Sequence, residues 1–226
     1  MPVKPYYSDE LVTLYLGRCE EVTEWLAADV LVTDPPYGRA WRQGESKVRG
    51  RHGSKSHAGI AGDAGTELRD WALDAWGPRV AVVFGDLMLA PAPGTKLMLP
   101  YCKAVDAGVR GAVGGYRRDA EAIYLIGPWP TGWGGRDSIV TTGSQAASGA
   151  NGMARRYGHP HAKPVDVMET LIAACPPGGI ADPVAGAGST LVAARNLGCS
   201  ALGVELEERY CERAALRLSQ MVLNCA

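Results

Sequence analysis

The chain has 226 residues, 46% of them hydrophobic, with 23 Lys and Arg against 24 Asp and Glu for a formal charge of −1. That length and apolar content suit one domain with a sizeable buried core, and the near-zero charge excludes a uniformly basic nucleic-acid-coating protein. The opening MPVKPYYSDE lacks an apolar stretch behind a basic flank, so no signal peptide or membrane span is expected, and the protein reads as soluble and non-secreted. Six cysteines (Cys19, Cys102, Cys175, Cys199, Cys211, Cys225) form no C-x-x-C pair, which argues against a zinc site or disulfide framework; they read as reduced thiols, and no metal site is expected.

In chain order, strand-like apolar runs fall at 11–16, 30–33, 80–84, 97–99, 122–126, 180–182 and 201–204, alternating with helix-like stretches. This alternation predicts an α/β fold, an open sheet covered by helices. One helix is predicted behind Pro164, with Val165, Met168, Leu171 and Ile172 on one face and Pro176 and Pro177 as its stop. Another follows Ser189, through Ala194 and Leu197. A third, near the C-terminus, carries Tyr210, Cys211, Ala214, Ala215, Leu218 and Val222 at helical spacing, with Glu207 and Glu208 where the helix dipole favours negative charge. No repeat or linker divides the chain, so residues 1–226 read as a single domain. Two long loops interrupt it, a basic insertion at about 39–65 and a Gly-, Pro-, Ser- and Trp-rich stretch at 128–158. Within the first, Arg39, Arg42, Lys47, Arg49, Arg51 and Lys55 face only Glu45, a local charge suited to phosphates.

Three segments carry chemistry. The strand at 30–33 runs into Asp34, Pro35, Pro36 and Tyr37. Two prolines fix φ and cannot donate hydrogen bonds, so this is a stiff elbow with free carbonyls. Asp34 and the Pro35 carbonyl can accept hydrogen bonds from an amino group while Tyr37 stacks on a planar ring. The strand at 180–182 leads through Asp182, Pro183, Gly186 and Gly188 into a helix opening at Ser189 and Thr190. Glycines there permit close backbone approach to a ligand, a helix N-terminus favours a carboxylate, and Glu205 at the end of the following strand can bind ribose hydroxyls, so a nucleoside ligand is implied. Leu191 where the dinucleotide fingerprint needs its third glycine, and the absence of a Lys before Ser189, exclude two rival nucleotide motifs. The third segment is His159-Pro160-His161-Ala162-Lys163-Pro164.

These segments, in this order, resemble the β-class amino-methyltransferases of DNA: D-P-P-Y at 34–37, H-P-x-x-K-P at 159–164, D-P-F-x-G-x-G-T-T at 182–190, and the strand-end acid with E-x-Y-C at Glu205, Glu208, Tyr210 and Cys211. A weaker trace surrounds Glu121. The resemblance implies a Rossmann-like class I methyltransferase fold, an open, twisted, mostly parallel sheet with helices on both faces and permuted motif order. It implies S-adenosyl-L-methionine as cofactor and double-stranded DNA as partner, with adenine N6 as target because an acid stands at position 34. N4-cytosine methylation, methylation of RNA or a protein amide, and a catalytically lapsed DNA-binding relative are the alternatives. By the same resemblance Asp34, Pro35, Pro36 and Tyr37 hold the base. Asp182, Pro183, Gly186, Gly188, Ser189, Thr190, Glu205 and Lys163 serve the cofactor, with Lys163, Ser189 and Thr190 near its carboxylate. Arg39, Arg42, Lys47, Arg49, Arg51 and Lys55 contact DNA, and 101–158 holds a small target-recognition region. The family also implies a cytoplasmic location, in a bacterium or a phage's host, and allows a homodimer. Arg18 and Val184 depart from its usual Asp and Phe.

Overall fold

The computed structural model describes residues 3–40, 62–104, 114–132, 134–143 and 162–223. Its nine strands form one open sheet, β1 (Tyr7–Ser8), β2 (Val12–Leu16), β3 (Val30–Thr33), β4 (Ala81–Gly85), β5 (Thr95–Cys102), β6 (Ala120–Ile126), β7 (Val140–Thr141), β8 (Ile180–Asp182) and β9 (Ala201–Glu205), in the order β1-β2-β9-β8-β3-β4-β6-β5-β7. The five strands from β2 to β4 run parallel. Antiparallel pairings flank them, β1 on β2 at one side and β6 between β4 and β5 at the other. Every run anticipated from the sequence falls on a strand, though β5 extends two residues before and three beyond its run and β6 begins two earlier; β1 and β7, two residues each, were too short to give a periodic signal.

Four helices occur among the described residues: α1 (Glu67–Trp76), α2 (Val165–Ile172), α3 (Ser189–Asn196) and α4 (Glu208–Leu223). A single 3-10 turn spans Glu24–Ala27. Pro164 caps α2 in an extended conformation (ψ 138°) rather than occupying its first turn, and the helix ends at Ile172, before Pro176. Helix α1 was not anticipated, because its sequence is mixed around most of its circumference and its buried positions include Arg69 beside Ala72 and Trp76.

The central strands are buried on both faces and read as continuous apolar runs. Their side chains alternate between two cores. Val30, Val32, Val82, Phe84 and Ile180 face Met168, Leu171, Leu191, Ala194, Cys211 and Leu218 from α2, α3 and α4. Leu31, Ala81, Val83 and Ala181 face Trp25, Ala72 and Trp76. Trp25 and Trp76 stack with ring centroids 5.9 Å apart, and the Arg79 guanidinium lies 3.4 Å above the Trp76 ring while donating to the Leu26 and Ala28 carbonyls. Helices therefore cover both faces, and the carboxyl ends of β9, β8 and β3 lie side by side, where ligands bind in open α/β sheets. No helix among the described residues is long and apolar enough to cross a membrane.

Candidate active site

Strand β3 ends at Thr33, so the rigid Asp34-Pro35-Pro36-Tyr37 elbow starts at the edge of the sheet. Pro35 is buried, while Asp34 and Tyr37 keep part of their surface exposed. The Tyr37 hydroxyl donates to Asp34 Oδ1 at 2.8 Å and lies 3.2 Å from Glu121 Oε2. Lys163 Nζ donates to Asp34 Oδ2 at 2.6 Å and to the Tyr37 oxygen at 3.0 Å, and is 3.2 Å from Glu121 Oε2. Lys103 Nζ closes the chain on Glu121 Oε1 at 2.5 Å. Burial pushes the Asp34 carboxyl above its ordinary range, Lys163 pulls it down, and Glu121 pushes it up again. Burial would raise Glu121 too, but Lys163 and Lys103 overcome that and hold it at about 2.

Behind the elbow, Asp63 accepts from the backbone N–H groups of Gly38 (2.8 Å) and Arg39 (3.2 Å) and so fixes the exit from Tyr37. Gly38 has φ +80°, and a Cβ there would stand 2.8 Å from the Gly65 backbone, so the close approach of these two segments requires glycine.

Strand β8 delivers Asp182 next to Thr33. Thr33 Oγ1 donates to Asp182 Oδ1 at 2.8 Å, Thr190 Oγ1 to Oδ2 at 2.6 Å, and the Val184 N–H to Oδ1 at 3.3 Å. Buried to 2% exposure, this carboxyl is pushed up to about 7 by desolvation, against those hydrogen bonds. Gly186 and Gly188 take left-handed φ of 52° and 75°. Gly188 serves packing, since a Cβ there would meet the Ala214 Cβ of α4 at 2.8 Å. Glu205, ending β9, accepts from the Gly186 N–H on Oε2 and the Glu207 N–H on Oε1, both at 2.8 Å; burial raises it. A small cleft against α1, walled by Leu68, Ala72 and Leu73, also touches Pro35 of the elbow and Pro183 and Val184 ahead of the glycine turn.

The sequence-predicted residues thus converge, with three shifts in position. Lys163 joins the elbow through its ammonium group. Asp182, Ser189 and Thr190 turn their side chains into the fold; Ser189 is 3.3 Å from Arg217 Nη1, which also reaches the Ala187 carbonyl at 2.5 Å. Arg39 is ion-paired with Asp86. Arg42, Lys47, Arg49, Arg51, Lys55 and His159 lie outside the described residues. Arg18 turns outward and pairs with Glu20 at 2.8 Å. Glu121 left one trace in the sequence, the weaker part of the family resemblance around it; Lys103 left none.

A DNA methylase family model matches residues 140–216, which include α2, the glycine turn and Glu205. Over that segment, about a third of the chain, the sequence is similar to the N6/N4 DNA methylases. The Type II methyltransferase M.ScaI of Streptomyces caespitosus is 38% identical over 81 residues, 35% of this chain, and the chain spans about a quarter (25%) of that relative's length. Among solved structures, the M1.HpyAVI–SAM complex aligns with TM-score 0.64 at 19% identity, covering 92% of this chain and 99% of the other. The cytosine-N4-specific PvuII DNA methyltransferase aligns with TM-score 0.62 at 15% identity, covering 95% and 89%. At such identities these two likenesses show the fold alone, the open, mostly parallel sheet with helices on both faces. The family's aligned segment ends before α4 does and excludes β3, so the elbow belongs to the site through the sheet geometry.

Proposed function

We propose that this chain transfers a methyl group from S-adenosylmethionine to N6 of adenine in double-stranded DNA. The observation that carries the reading is the Thr33–Asp182 hydrogen bond between neighbouring parallel strands, which joins the base-holding elbow to the glycine turn. Two motifs far apart in sequence thereby open onto one crevice.

The donor set fits the cofactor. Glu205 is a strand-end carboxylate suited to ribose hydroxyls, Gly186 and Gly188 shape the turn after Pro183, and α3 presents its N-terminus beside them. When bound, S-adenosylmethionine supplies the activated methyl group. M1.HpyAVI, of like fold, is described as a SAM complex.

A base inside a duplex is out of reach, and extruding it costs a few kcal/mol. Stacking on Tyr37 offsets about 1–3 kcal/mol of that, and the ring is held in place by its hydroxyl's bonds to Asp34 and Lys163. Asp34 and the Pro35 carbonyl then accept hydrogen bonds from the exocyclic amino group, favouring a nitrogen whose lone pair points at the methyl. Each Asp34 oxygen has two acceptor sites, so engagement with Tyr37 and Lys163 leaves capacity for the base. The proton released from nitrogen passes to Asp34 and on to water. Positioning and fixed charge supply the rate.

Arg42, Lys47, Arg49, Arg51 and Lys55, with Arg39 at the base of the loop, supply phosphate contacts in this reading. Asp34 favours adenine; N4-cytosine methylation is the second reading, favoured by the likeness to a cytosine-N4-specific enzyme. The test is tritiated-methyl transfer to DNA followed by digestion to nucleosides and mass measurement. N6-methyladenine is expected, N4-methylcytosine alone selects the second reading, and no transfer by the wild-type chain overturns both. Asp34→Ala should abolish transfer while leaving S-adenosylmethionine affinity within about twofold; equal loss of both would refute the division of labour.

A further inference from the structure

We infer that Lys163 is a positioning residue for the base-holding carboxylate, the counter-ion and anchor of Asp34, and not a ligand of the cofactor. The inference rests on the proposed role of Asp34. An ammonium group has three donors. Those of Lys163 are met by Asp34 Oδ2 at 2.6 Å, Tyr37 O at 3.0 Å and Glu121 Oε2 at 3.2 Å. The remaining surroundings are aromatic, with Nζ 4.8 Å from the Phe84 ring centroid and 5.4 Å from that of Tyr37, and only 8% of the residue is exposed. No hydrogen is left to offer to a cofactor carboxylate.

The balance of charge gives the cluster its purpose. Asp34 and Glu121 contribute two negative charges, and Lys163 and Lys103 two positive ones, so the network is neutral with every acid ionised. Without Lys163, two carboxylates would confront each other in a buried site, and one would take up a proton. A protonated Asp34 would offer the target amino group one acceptor oxygen fewer. Glu121 holds Lys163 from the far side, on β6, whose antiparallel run brings its N-terminal end level with the carboxyl end of β4. The other groups that act on Asp34 are Tyr37, in contact, and Asp182 and Tyr101, farther away.

Two substitutions should therefore move Asp34 in opposite directions, which a merely structural role for Lys163 would not produce. In the full-length free protein, the Asp34 carboxyl carbon is followed by carbon-13 NMR during a pH titration and assigned with Asp34→Asn. Lys163→Met should raise its titration midpoint by about one pH unit or more, and Glu121→Gln should lower it. Calorimetry should find S-adenosylmethionine affinity within about twofold of wild type in Lys163→Met. If that variant does not fold, Lys163→Met/Glu121→Gln is compared with Glu121→Gln, and the midpoint should be higher in the double variant. Midpoints that stay at the wild-type value, or a tenfold loss of cofactor affinity on removing Lys163, overturn the inference. The titration needs no turnover, so a wild-type chain that transfers no methyl would end the functional reading while leaving this result to stand or fall separately.

Discussion

Replacing Asp182 with asparagine should remove a pH dependence of stability that the wild-type fold carries between about pH 5.5 and 7.5. The carboxyl is 2% exposed, has no cation among its hydrogen-bond partners, and is pushed up to about 7 by burial despite three donors. An unfolded aspartate titrates near 3.9, so between about pH 4 and 7 the native chain binds the additional proton and stability falls as pH rises. Integrating from about pH 5.5 to 7.5, with the folded group at about 7, gives a loss of about 2 kcal/mol from this residue. Asparagine resembles the protonated acid in shape and does not titrate. Thr33 can still donate to its oxygen, and Thr190 must reverse its hydroxyl and accept from the amide, as it must also do for the protonated acid. Asp182→Asn should consequently match wild type to within about 1 kcal/mol at the acid end of this interval and be more stable by about 2 kcal/mol at the alkaline end. Urea unfolding at the two pH values measures the difference; Glu205, also raised by burial, cancels in the subtraction, and Asp34, on which Asp182 acts, is removed by making the comparison in an Asp34→Asn background. A wild-type-minus-variant difference that stays constant across the interval would mean that Asp182 is ionised throughout, and the reasoning from burial would be wrong.

Gly188→Ala should destabilise by about 2–4 kcal/mol, combining left-handed backbone strain at φ +75° with a Cβ placed 2.8 Å from that of Ala214. Adding Ala214→Gly should recover the steric part in denaturant titration, and a destabilisation under about 0.5 kcal/mol in the single variant would refute the packing role. Replacing Arg42, Lys47, Arg49 and Arg51 with Gln should weaken DNA binding and flatten the plot of log affinity against log salt by roughly 0.9 for each phosphate that is no longer neutralised. An unchanged slope, measured by fluorescence anisotropy, would eliminate that segment as a phosphate-binding element.

Much of this protein was legible in its sequence because its chemistry sits where the chain changes direction. Val30 to Thr33 is an apolar strand that can only end at two prolines, and Ile180 to Asp182 one that can only end at a glycine turn. Proline's locked φ and glycine's access to positive φ are local properties, independent of the rest of the fold. The alternation of strand and helix runs likewise predicted a sheet covered by helices, and the uninterrupted apolar strands fit its burial on both faces, with Val30 and Val32 in one core and Leu31 in the other.

Distance in space was not legible. Lys163 stands 129 residues from Asp34, and its motif pointed to the cofactor turn; only the docking of the segment before α2 against the elbow brings its ammonium group to that carboxylate. The pairing of Thr33 with Asp182 across 149 residues follows from β3 and β8 being neighbours, a consequence of strand order that no local pattern encodes. Glu121 and Lys103 enter the site because β6 runs antiparallel beside β4 and carries β5 with it. The sequence by itself singled out residues whose side-chain chemistry and turn geometry suit a base or a nucleoside, since those are local properties. The tertiary structure alone decided which of them neutralise one another, because charge pairing in a buried site depends on separations of about 3 Å between groups that the chain keeps far apart.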